Sequence, residues 1–123
     1  MSTPEPFKKL VHQGIVLGED NQKMSKSRGN VVNPDDMMDQ FGADAVRLYE
    51  MFMGPLEQDK VWNDNAAQGV RRFIDRVYNY GVENKFAKVE ESVESQSQLH
   101  KLIQKVTEDT SNLKFNTAIS EFM

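Results

Sequence analysis

The chain has 123 residues, a formal net charge of -4, 38% hydrophobic residues and no cysteine, with a mean hydropathy of -0.64. That length holds one domain, or a small domain with the start of a second, and the composition suits a mainly α chain somewhat short of core-forming residues. It excludes a disulfide framework and a thiolate zinc site, and no apolar run approaches the roughly 20 residues that spanning a bilayer takes.

The N-terminal stretch, Met1-Ser2-Thr3-Pro4-Glu5-Pro6, lacks the basic and apolar regions of a signal peptide. Leu10 with Val11 and Ile15-Val16-Leu17 are short β-prone runs, and residues 18–21, Gly-Glu-Asp-Asn, are turn chemistry. A small strand or hairpin is therefore expected to lead into Lys23-Met24-Ser25-Lys26-Ser27-Arg28-Gly29-Asn30. This stretch puts three cations, two hydroxyls and one glycine into eight residues. Lysine supplies a mobile point charge and serine a neutral donor. Glycine lets the backbone approach closely, and successive amide N–H groups can form an anion-binding concavity. Such a segment can hold a polyphosphate. The charge distribution agrees: residues 1–33 carry five cations against three carboxylates, residues 34–67 two against eight, and residues 68–123 eight of each. Positive charge is concentrated around the loop. Chance unevenness in so short a chain gives the same pattern, so charge alone does not decide.

A helix is predicted next, with Asn33 as N-cap, Pro34 at its first position and Asp35 and Asp36 against its positive end. It carries Met37, Met38 and Phe41 and stops at Gly42. A second helix, from about residue 43 to 53, has Ala45, Val46, Tyr49, Phe52 and Met53 at helical spacing, and Gly54-Pro55 ends it. An acidic connector follows, with Lys60-Val61-Trp62 as a short extended segment. The longest helix is expected from roughly residue 64 to 86, with Val70, Phe73, Ile74, Val77, Tyr78 and Gly81 on one stripe. Glu and Ser accumulate between residues 85 and 98, which reads as a mobile linker. Ser95 with Gln98 forms a capping box for a helix carrying Leu99, Leu102, Ile103, Val106 and Leu113. Phe115, Ala118, Ile119 and Phe122 again sit at helical spacing up to Met123, with no C-terminal signal, as in a truncated polypeptide.

Several residues admit two readings. Arg28 and Asn30 either contact phosphate or fix the shape of the loop, and Gly29 serves a backbone turn. Asp44 and Arg47 suit a structural ion pair on one helix turn, or Asp44 an N-cap, more than chemistry. Arg71, Arg72 and Arg76 form either a basic face toward RNA phosphates or an ordinary solvated face. Trp62 either stacks on a base or anchors packing between helices. His12 and His100 adjoin no carboxylate or cysteine cluster, and no metal site is indicated.

Residues 23–27 resemble, letter for letter, the KMSKS signature loop of class I aminoacyl-tRNA synthetases. Val31-Val32-Asn33-Pro34-Asp35-Asp36 and Phe41-Gly42-Ala43-Asp44-Ala45-Val46-Arg47 are similar to the leucine, isoleucine, valine and methionine branch. Tyr49-Glu50-Met51-Phe52-Met53-Gly54-Pro55 and Val61-Trp62-Asn63 look most like the bacterial leucyl-tRNA synthetases. The likeness is strong over residues 5–63 and looser over 64–123. It implies that residues 1–63 are the loop and stem-contact-type end of a Rossmann-like catalytic domain. Residues 64–123 would begin a helical anticodon-binding domain, of which Phe115-Asn116-Thr117-Ala118-Ile119-Ser120 is typical. The His-x-Gly-His signature that grips ATP from the other side, the amino-acid pocket and any editing domain are missing, so a piece of an enzyme is implied.

In that family the amino-acid carboxylate attacks the α-phosphorus of ATP and magnesium-bound pyrophosphate leaves, with charge building on oxygens that preorganised cations stabilise. The resemblance implies Lys26 first and Lys23 second at the leaving pyrophosphate, with Lys23, Met24, Ser25, Lys26 and Ser27 along the ATP phosphates. It implies ATP with Mg2+, leucine, tRNA(Leu) and the rest of the synthetase polypeptide as partners, a cytoplasmic setting, and no activity for this chain alone. The rival reading is a helical RNA-binding or protein-interaction module without catalysis, its lysine loop only steering phosphate backbones.

Overall fold

A computed structural model describes residue 4, residues 7–84 and residues 92–123. Among these the fold is mainly α: helices α1 (Pro34–Phe41), α2 (Ala43–Phe52), α3 (Asp64–Glu83), α4 (Val93–Ser111) and α5 (Phe115–Phe122), with two short strands, β1 (Val16–Leu17) and β2 (Lys60–Val61). The strands pair in parallel, Val16 opposite Lys60 and Leu17 opposite Val61. The expected hairpin is present in reduced form. Leu17 meets Lys23 in an isolated antiparallel bridge, around a turn in which the Gly18 N–H donates to the Gln22 carbonyl at 2.9 Å. Leu10 and Val11, β-prone by type, take no strand; both are exposed, and no neighbouring strand pairs with them.

β1 is held to β2 by backbone fit. The Lys60 N–H donates to the Ile15 carbonyl at 3.0 Å and the Trp62 N–H to the Leu17 carbonyl at 2.9 Å. Gly14 lies so close to the Gln58 carbonyl that no side chain fits there. This strand pair fixes the root of the lysine loop beside the core.

The core forms where α1, α2 and the start of α3 converge: Phe41, Ala45, Val46, Tyr49, Trp62, Ala67 and Val70 are buried, with Met24 and Val32 packed against them. α2 is central, in contact with α1, α3 and α5. Local signals set the helix ends. Asn33 Oδ1 accepts the Asp35 N–H at 3.2 Å with Pro34 at the first position, and Asn63 Oδ1 accepts the Ala66 N–H at 3.0 Å to open α3. α1 ends at Gly42, whose φ is +86°.

Three boundaries differ from the sequence reading. α3 ends at Glu83, and its expected last residue, Phe86, lies outside the described residues. α4 opens at Ser92, not Ser95: Ser92 Oγ accepts the Ser95 N–H at 3.1 Å, so the second half of the expected linker is helical. The first half, residues 85–91, lies outside the described residues. Leu113 is not part of α4. The Asp109 carbonyl takes the Lys114 N–H at 2.8 Å, and Leu113 sits in the turn with φ +58°.

Candidate functional site

The lysine loop is built from its backbone outward. Residues 26–28 make one 3-10 turn, with the Arg28 N–H donating to the Ser25 carbonyl at 3.1 Å and the Gly29 N–H to the Lys26 carbonyl at 3.2 Å. Gly29 closes the turn at φ +69°, and nothing lies within 4 Å of where a Cβ would stand, so the demand for glycine is conformational and not spatial. Met24 is half-buried against the core, which leaves Lys23, Lys26, Ser27 and Arg28 exposed on the outer side. The Ser25 and Ser27 hydroxyls meet at 2.8 Å.

Asn30 ties the loop together. Its Oδ1 accepts the Ser25 N–H at 2.8 Å, and its Nδ2 donates to both Asp20 carboxylate oxygens at 3.0 Å and reaches the Lys23 carbonyl at 3.4 Å. Asp20 also accepts the Gln22 N–H at 3.1 Å. The Asn30 amide is the main reason the Asp20 carboxyl is held below its ordinary value. Of the two readings of Asn30, the structure selects the one that fixes loop shape. Arg28 turns back to donate to Gln22 Oε1 at 3.3 Å.

The predicted phosphate-contacting residues are thus brought together: Lys23 at the root, Lys26 and Ser27 on the turn, Ser25 as its cap. Among the described residues, ion pairs join Arg71 to Asp75 and Lys105 to Asp109, and neither loop lysine is engaged by a carboxylate. Two ammonium groups and a hydroxyl pair therefore face outward from a tethered backbone, a set that suits the oxygens of a polyphosphate. No group of three or more His, Cys, Asp or Glu side chains among the described residues could hold a metal ion.

The three arginines of α3 have different surroundings. Arg71 donates from Nη1 to the Phe41 carbonyl at 2.9 Å and from Nε to Asp75 at 2.9 Å, bracing the end of α1. Arg76 places its guanidinium 5.9 Å from the centre of the Phe73 ring, and Arg72 is exposed. Trp62 is a packing anchor: it is buried, stands edge-on to Tyr49 at 5.0 Å, and donates from Nε1 to Asp64 Oδ1 at 2.7 Å. Asp44 is neither an N-cap nor paired with Arg47. Gly42 caps α2, and Asp44 lies in its first turn beside the positive helix end.

The polar contacts of two buried residues escaped the sequence reading. Tyr49 is buried, and its hydroxyl accepts the Asn63 N–H at 3.1 Å; burial chiefly raises its pKa. Asp109 is buried and accepts from Thr117 Oγ1 at 2.7 Å and Lys105 Nζ at 2.8 Å. Its signal was available: with Leu102 and Val106 it falls on one helical stripe, where a carboxylate needs partners. An apolar groove runs between α2, α3 and α5, lined by Leu48, Phe73, Ile74, Val77, Tyr78, Ile119 and Phe122.

Comparison with known proteins gives one consistent family. Residues 1–63 match the model of tRNA synthetases class I (I, L, M and V). A leucine–tRNA ligase of Leptospira biflexa is 55% identical over 128 residues, covering 100% of this chain and 15% of the relative. The leucine–tRNA ligase of Pelodictyon phaeoclathratiforme is also 55% identical, over 129 residues, covering 100% of this chain and 16% of that relative. The crystal structure of a LeuRS–tRNA–LeuAMS ternary complex from Agrobacterium radiobacter K84 superposes with a TM-score of 0.83 at 32% identity. That match covers 98% of this chain and 17% of the matched one. The chain therefore spans roughly one-sixth of the length of the curated relatives it matches.

Proposed function

Because this chain belongs to the class I tRNA synthetases of the isoleucine, leucine, methionine and valine group, we propose that it is the segment of a leucine–tRNA ligase that holds the phosphates of ATP and begins the tRNA-binding helices. The whole enzyme would join leucine to the AMP part of ATP with release of pyrophosphate and then transfer the leucyl group to tRNA(Leu) with release of AMP, in the cytoplasm. Among the described residues no helix is long and apolar enough to cross a membrane. Residues 1–63 are the end of the catalytic domain in this reading, and residues 64–123 the first part of the anticodon-binding domain.

The observation that carries the reading is the loop: two ammonium groups without a carboxylate partner among the described residues, on a root tied down by Asn30 and Asp20. When the leucine carboxylate attacks the α-phosphorus, negative charge gathers on the departing pyrophosphate. Lys26 meets that charge from the turn and Lys23 from the root, while the Ser25 and Ser27 hydroxyls and nearby amides donate to phosphate oxygens. Magnesium would arrive with ATP, since the loop offers cations and hydroxyls that fit phosphate and not a metal ion. Arg72 and Arg76 are proposed to touch tRNA phosphates, with Arg71 bracing the helix that carries them.

The test is Lys26→Ala in the full-length synthetase. Single-turnover adenylate formation is expected to fall about 100-fold or more with leucine affinity little changed, because the lost contact strengthens as the bond breaks. An unchanged rate would overturn the assignment.

A further inference from the structure

We propose that Asn30 and Asp20 form a clamp at the root of the loop and act as positioning residues for ATP, setting the conformation from which Lys26 and Lys23 meet the phosphates. The proposal rests on the reading of the loop given above. Besides this clamp, the segment is held by Met24 on the core, the Leu17–Lys23 bridge and the Arg28–Gln22 hydrogen bond. Two backbone hydrogen bonds shape the 3-10 turn, and Ser25, which caps it, makes no side-chain capping bond. The Ser25 N–H is spent on Asn30.

An asparagine has one amide oxygen to accept and two N–H bonds to donate, and all three directions are used here. The acceptor takes Ser25, one donor direction faces both Asp20 oxygens, and the other reaches the Lys23 carbonyl. Asn30 therefore joins the far end of the loop to its near end. Asp20 extends that join outside the loop, because it also accepts the Gln22 N–H within the turn that follows β1. The chain on both sides of Lys26 is thus referred to one fixed strand. An aspartate at position 30 keeps the acceptor for Ser25 but loses both donors and sets a second carboxylate against Asp20.

The experiment uses the full-length synthetase and leucine-dependent ATP–pyrophosphate exchange. Asn30→Asp should lower kcat/KM for ATP by about 10- to 100-fold, the scale of a displacement near 1 Å at a reacting centre, with the KM for leucine changed by less than about threefold. The double variant Asp20→Asn/Asn30→Asp restores a donor opposite an acceptor and should recover to within about fivefold of the parent. A merely structural role would lower the thermal midpoint, move the leucine and ATP constants together and show no recovery. Parent-like exchange in Asn30→Asp, or a slow single variant that the double does not restore, overturns the clamp. If Asn30→Asp fails to fold, Asp20→Ala must show the same ATP-selective loss, and its absence counts equally against the proposal. Lys26→Ala measured in parallel keeps the two readings apart. A slow Lys26→Ala beside a normal Asn30→Asp removes the clamp and leaves the loop assignment, whereas a silent Lys26→Ala removes both.

Discussion

Cations of similar type do different work here because their surroundings differ. Lys26 projects from a 3-10 turn, and no carboxylate among the described residues pairs with it, so its charge is available to a ligand, whereas the Arg71 guanidinium is shared between a carbonyl and a carboxylate. Lys26→Arg in the full-length enzyme should recover only part of the exchange activity lost in Lys26→Ala, since a planar fork does not reproduce a compact ammonium at a fixed phosphate position. Full recovery would mean that charge alone matters there. On α3 the contrast is between neighbours. Arg71→Ala removes a partly exposed brace and should cost about 1 kcal/mol of stability, read from denaturant midpoints, with tRNA affinity little changed. Arg76→Ala should leave stability and ATP–pyrophosphate exchange nearly intact but weaken tRNA binding, with the log–log salt dependence shallower by about one. If both variants changed tRNA affinity equally, the division of labour along α3 would be wrong.

The elements owe their arrangement to a few polar residues at their ends. Asp109 closes the α4–α5 corner: its carboxylate takes Lys105 and Thr117, and its carbonyl takes the Lys114 N–H. Lys105 first and Thr117 second hold the Asp109 carboxyl below its ordinary value of 3.8. A depressed carboxyl stabilises the fold fully above that unfolded value, and the contribution is lost as pH falls through the lower folded one. Asp109→Asn should therefore be less stable than the parent at neutral pH, and the gap should narrow only below about pH 3.8. A gap independent of pH down to unfolding would show that the charge is not what Asp109 supplies. Trp62→Ala is expected to cost about 3–5 kcal/mol, because the ring fills the space between α2 and the start of α3. Legibility followed the range of the interactions. The start of α1 was readable because Asn33 caps within two residues, whereas α3 was read from its apolar stripe and its Asn63 cap appears only in the structure. The start of α4 was misplaced because Ser92 and Ser95 are equally good caps by type, and only geometry chooses between them. The parallel pairing of β1 with β2 joins residues 44 apart, and no local pattern announces it. For the loop, the residue types marked phosphate chemistry, while the Asp20–Asn30 link that holds its shape spans ten residues.

Across the whole molecule, apolar side chains are divided between a packed centre and an open flank. Val70 is 1% exposed, yet Val77 and Tyr78 on the same stripe are 57% and 68% exposed, and Phe122 on α5 is 55% exposed. The loop sits on the packed side, with Met24 against the core cluster that holds Trp62 and Tyr49, while its lysines are open to solvent. That arrangement bears on what the chain can do by itself. A preorganised contact of the kind proposed for Lys26 is worth about 3–4 kcal/mol of transition-state stabilisation, as judged from removing single oxyanion donors. Enzymatic rate enhancements ask for roughly 8–23 kcal/mol, of which holding both reactants in line can supply about 7–11 kcal/mol. The cavity beside the loop, lined by Gly29, Asn30 and Val32, is also lined by the carboxylates of Asp20, Asp36 and Asp64 and so suits a leucine carboxylate poorly; the apolar groove lies between α2, α3 and α5, lined by no loop residue. The 123-residue chain alone is therefore expected to bind ATP weakly and to show no leucine-dependent ATP–pyrophosphate exchange. The measurement is exchange with the purified chain at saturating ATP and leucine, with Lys26→Ala as the control. Activity above background that vanished in the control would mean that this segment positions both substrates unaided, and the division of labour proposed between the loop and the rest of the enzyme would have to be abandoned.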